Sequence, residues 1–379
     1  MWRIVRVLAQ GAAAVSLTAA PADAGSPNVP AELAIRAERY VAGGRTDGIA
    51  VAVVRCGVPS FITRGLADRE TRRAVTPDIV FDIGSVSKTL TALLLARAVT
   101  AKRVRLDDDV RRYLPGDYPN LVWSDGTPIT LGQLADTTSG LPDFLPDPAP
   151  IIKLPADQQV ATASTMLRDY GNEDFLRDLH GIKLRSRPGT EPQHSNVAAQ
   201  LLGYVMSRVF GLPFGTALYR HVERPAGMRD GIATVVSTPV ATGYDDQHRV
   251  MPPYRGESVT PAGGLRYTAR DMAKFLSLQL SRDDPAVLLS QRVRSAANPD
   301  HKVAFTWTVS EPAPGVTKYR MSGGTFGGSS FVEFYPSLGY GVALMANRAG
   351  ANSQDELQEI AEQTFEKERV SLGPCKRGR

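Results

Sequence analysis

The chain begins and ends in amphipathic segments and keeps a different texture in between. Residues 31–42 read as a helix, and 48–55 and 60–65 are β-prone runs separated by Cys56-Gly57-Val58-Pro59, the signature of a hairpin. Toward the other end, 303–309, 316–321, 329–335 and 340–346 are strand-like, and 355–369 is a polar amphipathic helix. The spacing therefore predicts one antiparallel sheet assembled from both ends of the chain and flanked by an N-terminal and a C-terminal helix. The intervening residues, from 85 to about 269, are helix-rich, carry no strong strand pattern and are broken by Pro- and Gly-bearing loops at 141–155 and 238–256. The predicted class is α/β (α+β): a discontinuous α/β lobe, about 25–80 and 260–370, with a helical lobe, about 81–259, inserted. Ligand clefts favour such boundaries.

Composition narrows the picture. With 379 residues, 42% hydrophobic and 22% charged, the chain can bury a substantial core and is no membrane-spanning bundle. Its net charge of +5 is spread among acids, except in the basic tail at 371–379, so no nucleic-acid partner is expected. Arg3 and Arg6, an apolar run over 7–20 and Ala22-Asp23-Ala24 match the three parts of a secretory signal peptide cleaved after Ala24. The run is shorter than the roughly 20 residues that span a bilayer. Export to a bacterial periplasm or beyond is expected, with no stable membrane span left after cleavage. Only Cys56 and Cys375 occur, so there is no disulfide framework and no Cys-based metal spacing. One bridge is left open; the reading adopted is a packed thiol at Cys56 and a loose tail at Cys375.

The most informative stretch is Phe81-Asp82-Ile83-Gly84-Ser85-Val86-Ser87-Lys88. It sets a serine hydroxyl and a lysine amine one helical turn apart, on one face. Val86, Leu90, Leu93, Leu94 and Ala98 continue at helical spacing, so Ser85 is expected to open a buried helix at the positive end of its dipole. A serine hydroxyl is a poor nucleophile until a base takes its proton, and a desolvated lysine can be that base. Average composition alone would produce a bare S-x-x-K about once in a chain of this length.

Its company lifts it above chance. After it come Leu106-Asp107-Asp108-Asp109-Val110, Tyr113-Leu114-Pro115, Thr137-Thr138-Ser139-Gly140-Leu141-Pro142, Pro188-Gly189, Ser195-Asn196, Leu201-Leu202-Gly203, Gly227-Met228, Gly263-Gly264-Leu265 with Asp271-Met272, and Gly323-Gly324. In that order the blocks resemble the superfamily of serine β-lactamases, penicillin-binding DD-peptidases and esterases, closest to its class C-like branch. The resemblance implies a β-lactamase/transpeptidase-like fold, Ser85 as nucleophile, Lys88 as base, and Asn196 holding Lys88 and a substrate carbonyl. It also implies an oxyanion hole formed by the backbone amides of Ser85 and Gly324.

Two positions depart from the pattern. Where the family carries a tyrosine two residues before its asparagine, this chain has His194, itself able to act as a general base but shorter in reach. Where the family has Lys-Thr-Gly or His-x-Gly, Met321-Ser322-Gly323-Gly324-Thr325 stands instead. Met321 can neither donate a proton nor anchor a carboxylate, although Ser322 keeps a hydroxyl. Ser322, Gly323 and Thr325 complete the expected substrate strand. The remaining histidines, His180, His221, His248 and His301, show no metal spacing and read as surface or packing residues; Asp107, Asp108 and Asp109 read as a solvated turn and cap. No metal or organic cofactor is implied.

The expectation is an exported serine hydrolase or acyl transferase that acts on a small ester or amide through acyl-Ser85, with His194 assisting proton transfer to the leaving group. Peptidoglycan-type D-alanyl peptides and β-lactams follow as substrates. The rival from another class is a catalytically inactive periplasmic binding protein of the same fold.

Overall fold

The computed structural model describes residues 30–229, 231, 238–298, 301–369 and 375; the leader read at 1–24, and the basic tail apart from Cys375, lie outside them. A nine-stranded sheet runs in the order Arg73–Ala74, Val58–Asp68, Gly48–Arg55, Tyr340–Ala346, Ser329–Tyr335, Val316–Gly324, Trp307–Ala313, His301–Ala304, Ser295–Asn298. All of its pairings are antiparallel. The N-terminal and C-terminal strands meet where Gly48–Arg55 pairs with Tyr340–Ala346, so the central strands come from opposite ends of the sequence.

Those strands are apolar without polar alternation because both faces are covered. Ile49, Val51 and Val53 face a smaller core with Leu33, Phe331, Leu357 and Phe365, roofed by the helices Ala31–Ala42 and Ser353–Glu368. Ala50, Ala52 and Val54 face the larger core, which includes Leu90 and Leu94 of the Ser87–Thr100 helix and Leu201 of the Asn196–Phe210 helix. Each strand is thus a partition between two apolar volumes, and a one-residue slip in register would exchange them.

The structure redraws two elements. The run at 303–309 is a tight hairpin: His301–Ala304 and Trp307–Ala313 are joined at Phe305 and Thr306, both at positive φ (38° and 72°). With no glycine or asparagine to mark it, the turn hides inside an apolar run. At the two edges of the helical stretch, Val80–Asp82 and Arg266–Thr268 pair as a two-stranded ribbon.

Cys56 and Cys375 form a disulfide, with Cα atoms 5.4 Å apart. This corrects the reading of a packed thiol and a loose tail. Cys56 sits exposed at the hairpin tip in the left-handed region (φ 51°), and its amide donates to the Gly339 carbonyl of a neighbouring turn. Cys375 reaches the same corner beside Leu338. Among the described residues no single helix is long and apolar enough to cross a membrane.

Glu333, on a central strand, lies fully buried in the smaller core side of the sheet, below the Lys318–Glu362 ion pair. Burial pushes its carboxyl up to about 8, with Lys318 opposing only in part. The folded protein therefore holds a proton that the unfolded chain releases near its ordinary value of 4.5, and this group's contribution to stability is lost as pH rises from there through about 8. Glu333→Gln should flatten the fall in urea midpoint between pH 5 and 8 and be the more stable protein at pH 8. Parallel curves for the two proteins would contradict this protonation state.

Candidate active site

Ser85 lies in a single 3-10 turn, Gly84–Val86, that leads into the Ser87–Thr100 helix instead of forming its first residue. The turn is clamped against the sheet. Gly84 has φ +50°, and a Cβ there would come within 2.4 Å of the Gly324 amide nitrogen. A Cβ on Gly323 would lie 2.1 Å from the Ile83 carbonyl oxygen and 2.9 Å from the Ser85 nitrogen. Backbone meets backbone here, which only glycine permits. Hydroxyls tie the surroundings together: Ser330 Oγ donates to the Ile83 carbonyl at 2.7 Å, Thr91 Oγ1 donates to that of Pro261 at 2.8 Å, and Ser87 Oγ accepts from the Leu265 amide at 3.2 Å.

Lys88 is buried, and its Nζ lies 2.8 Å from Ser85 Oγ, 2.7 Å from Asn196 Oδ1 and 2.8 Å from the Ala262 carbonyl oxygen. Two of these partners can only accept, while the third is a hydroxyl able to donate. That set suits a neutral amine, which gives two hydrogens and takes one. Desolvation drives the lysine down to about 7, with the charge of Asp143 opposing.

Asp143 organises the other side. Its Oδ1 accepts from His194 Nδ1 at 2.9 Å, from the Asn196 amide at 3.2 Å and from Asn196 Nδ2 at 3.0 Å. Burial pushes its carboxyl up, but the hydrogen bond and charge of His194, helped by the Asn196 amide and Lys88, outweigh burial and hold it below the usual range. Because a carboxylate only accepts, Asn196 must point Nδ2 at Asp143 and Oδ1 at Lys88. Tyr254, on a neighbouring loop, packs on the Phe326 ring with centroids 5.4 Å apart and feels the charge of Asp143. Burial, with the Asp143 charge adding, raises its hydroxyl to about 12, so it stays protonated.

A cavity of about 210 Å³ opens beside Lys88, His194 and Met321, walled by Leu134, Thr137 and Thr308 among others.

The β-lactamase family model matches residues 34–365. The chain belongs to the Beta-lactamase family. It is 27% identical over 348 residues to a β-lactamase of Escherichia coli, covering 80% of this chain and 85% of that protein. It is 34% identical over 184 residues to esterase EstB of Burkholderia gladioli, covering 48% and 46%. The crystal structure of a class C β-lactamase from Rhodobacter sphaeroides superposes with TM-score 0.72 at 23% identity, covering 89% of this chain and 99% of that one, a likeness of fold. Family and relatives place the chain among β-lactamase-fold serine hydrolases.

Within this fold, Ser85, Lys88 and Asn196 meet at hydrogen-bonding distance. Met321 and His194 line the adjoining cavity, and His194 bonds Asp143 instead of Ser85. Gly323 faces the serine turn. Strand alternation sends Ser322, paired with Phe331, to the face roofed by the terminal helices, so its hydroxyl points away from the serine. Thr325 Oγ1 donates to Asp82 at 3.3 Å. Of the other histidines, His180 stacks on Tyr118, His221 stacks on Phe210 and His248 bonds Asp47; Asp109 caps the Val110–Tyr113 turn. Sequence reasoning missed Asp143 and Tyr254. Asp143 directly follows the Ser139-Gly140-Leu141-Pro142 block, which was the available signal.

Gly323→Ala should force the serine turn off the strand. The expected cost is about 1–3 kcal/mol of stability from overpacking and a loss of activity of roughly 100-fold from displacement of the nucleophile, read by thermal melts and ester turnover. Unaltered turnover would contradict the clamp.

Proposed function

We propose that this protein is an exported serine hydrolase that cleaves, or transfers the acyl group of, a small ester or amide without an essential carboxylate, through an acyl-Ser85 intermediate. The bonding of the Lys88 amine carries the reading. Neutral Lys88 takes the Ser85 proton as Oγ bonds to the acyl carbon, and passes that proton, with His194 assisting, to the departing oxygen or nitrogen as its bond to that carbon breaks. Asn196 holds Lys88 and the substrate carbonyl, and the amides of Ser85 and Gly324 receive the negative charge that develops on the carbonyl oxygen.

Met321 and the cavity speak for the substrate. Among the residues that line it only Lys88 and His194 have ionisable side chains, and both are engaged in the site, leaving no cation dedicated to a carboxylate. That favours esters and neutral amides over D-alanyl peptides and β-lactams, which carry one. An inactive binding protein would have no use for a lysine desolvated against a serine.

Intact-mass spectrometry tests both parts. p-Nitrophenyl acetate should add one acetyl group to the protein and none to Ser85→Ala, while benzylpenicillin should react slowly with the wild type and faster with Met321→Lys. Acetylation surviving in Ser85→Ala would overturn the nucleophile, and penicillin acylation as fast as the ester's would overturn the substrate class.

A further inference from the structure

Lys88 and His194 occupy different environments. Lys88 is 4% exposed and bonded to Ser85, whereas the His194 side chain is 55% exposed and, among the described residues, makes no hydrogen bond to Ser85 or Lys88. The imidazole is held from behind: its Nδ1 lies 2.9 Å from Asp143 Oδ1, and because a carboxylate only accepts, Nδ1 carries the hydrogen and Nε2 is the acceptor of the neutral ring. The same oxygen fixes the amide of Asn196, and through it Lys88. One carboxylate thus orients both proton-carrying groups, one on the serine side and one on the water side.

We propose that Asp143 is the positioning residue of a second proton-transfer unit, Asp143–His194, that activates the water which releases the acyl group from Ser85. This rests on the acyl-serine reading above. In the step, water gives a proton to His194 Nε2 while its oxygen bonds to the acyl carbon. The acyl carbon–Oγ bond then breaks, Oγ takes the proton back from the imidazolium, and acid and free Ser85 remain. Asp143 opposes the positive charge held in between. Lys88 is the base of acylation, where a nitrophenolate leaves without needing the help of His194; His194 is the base of deacylation.

Asp143→Asn, which keeps an acceptor oxygen but removes the charge, separates the two steps. With p-nitrophenyl acetate the variant should keep a burst of about one nitrophenol per enzyme while steady-state turnover falls roughly 100-fold, in the range of lost general-base catalysis. Acetyl-Ser85 should persist in the intact mass, and hydroxylamine, a nucleophile that needs no base, should clear it. His194→Gln should behave alike, and covers the case in which Asp143→Asn does not fold. Burst and steady state falling together without an adduct, or neither changing, would overturn the proposal. A wild type that forms no acetyl-Ser85 would instead remove the reading beneath it, a separately visible failure.

Discussion

The site depends on one unfavourable placement, an amine taken out of water beside a hydroxyl. An ammonium in that position would give up hydration for two carbonyl-type acceptors and one hydroxyl. Releasing a proton is the less costly alternative, and the lysine is thereby made a base near neutral pH. The nearby carboxylate limits the effect. Asp143 touches Asn196 and not Lys88, so its charge moderates the lysine without pairing with it. A direct ion pair would have kept the amine protonated and the serine idle.

Holding that placement takes the rest of the fold. The serine turn has no side-chain cap of its own; it is fixed because Gly84 and Gly323 let two backbones touch and Ser330 bonds the Ile83 carbonyl. The strand that supplies Gly323 is registered by Ser329–Tyr335, which pairs in turn with Tyr340–Ala346 and through it with Gly48–Arg55. The N-terminal hairpin is therefore part of the support of the nucleophile. The disulfide to Cys375 pins the tip of that hairpin from the other end of the chain, constraining the unfolded state over a sequence separation of 319 residues.

Much of this was legible in the sequence because its signals are local. Residues 31–42, 329–335 and 340–346 form the elements their patterns predict, and Ser85 with Lys88 requires only helical spacing. What stayed hidden depends on contacts distant in sequence. Nothing near Cys56 tells where Cys375 will pass, and Asp143 becomes informative only when its loop is folded against His194, 51 residues away. Ser322 was misplaced by motif reading, since a three-residue motif gives identity without strand phase. The Phe305-Thr306 turn was invisible because its residues avoid the types that mark positive φ.

The two departures from the family pattern line the same cavity. His194 stands in the tyrosine's place with its own carboxylate, and Met321 in place of a cation leaves the adjoining cavity without a dedicated counter-charge. Everything else follows from an uncharged Lys88. Its ionisation can be followed directly by NMR of 13Cε-labelled lysine, with the Lys88 resonance assigned by its absence from Lys88→Arg. A midpoint near 7 is predicted; a resonance that titrates near the ordinary 10.5 would contradict the mechanism at its root.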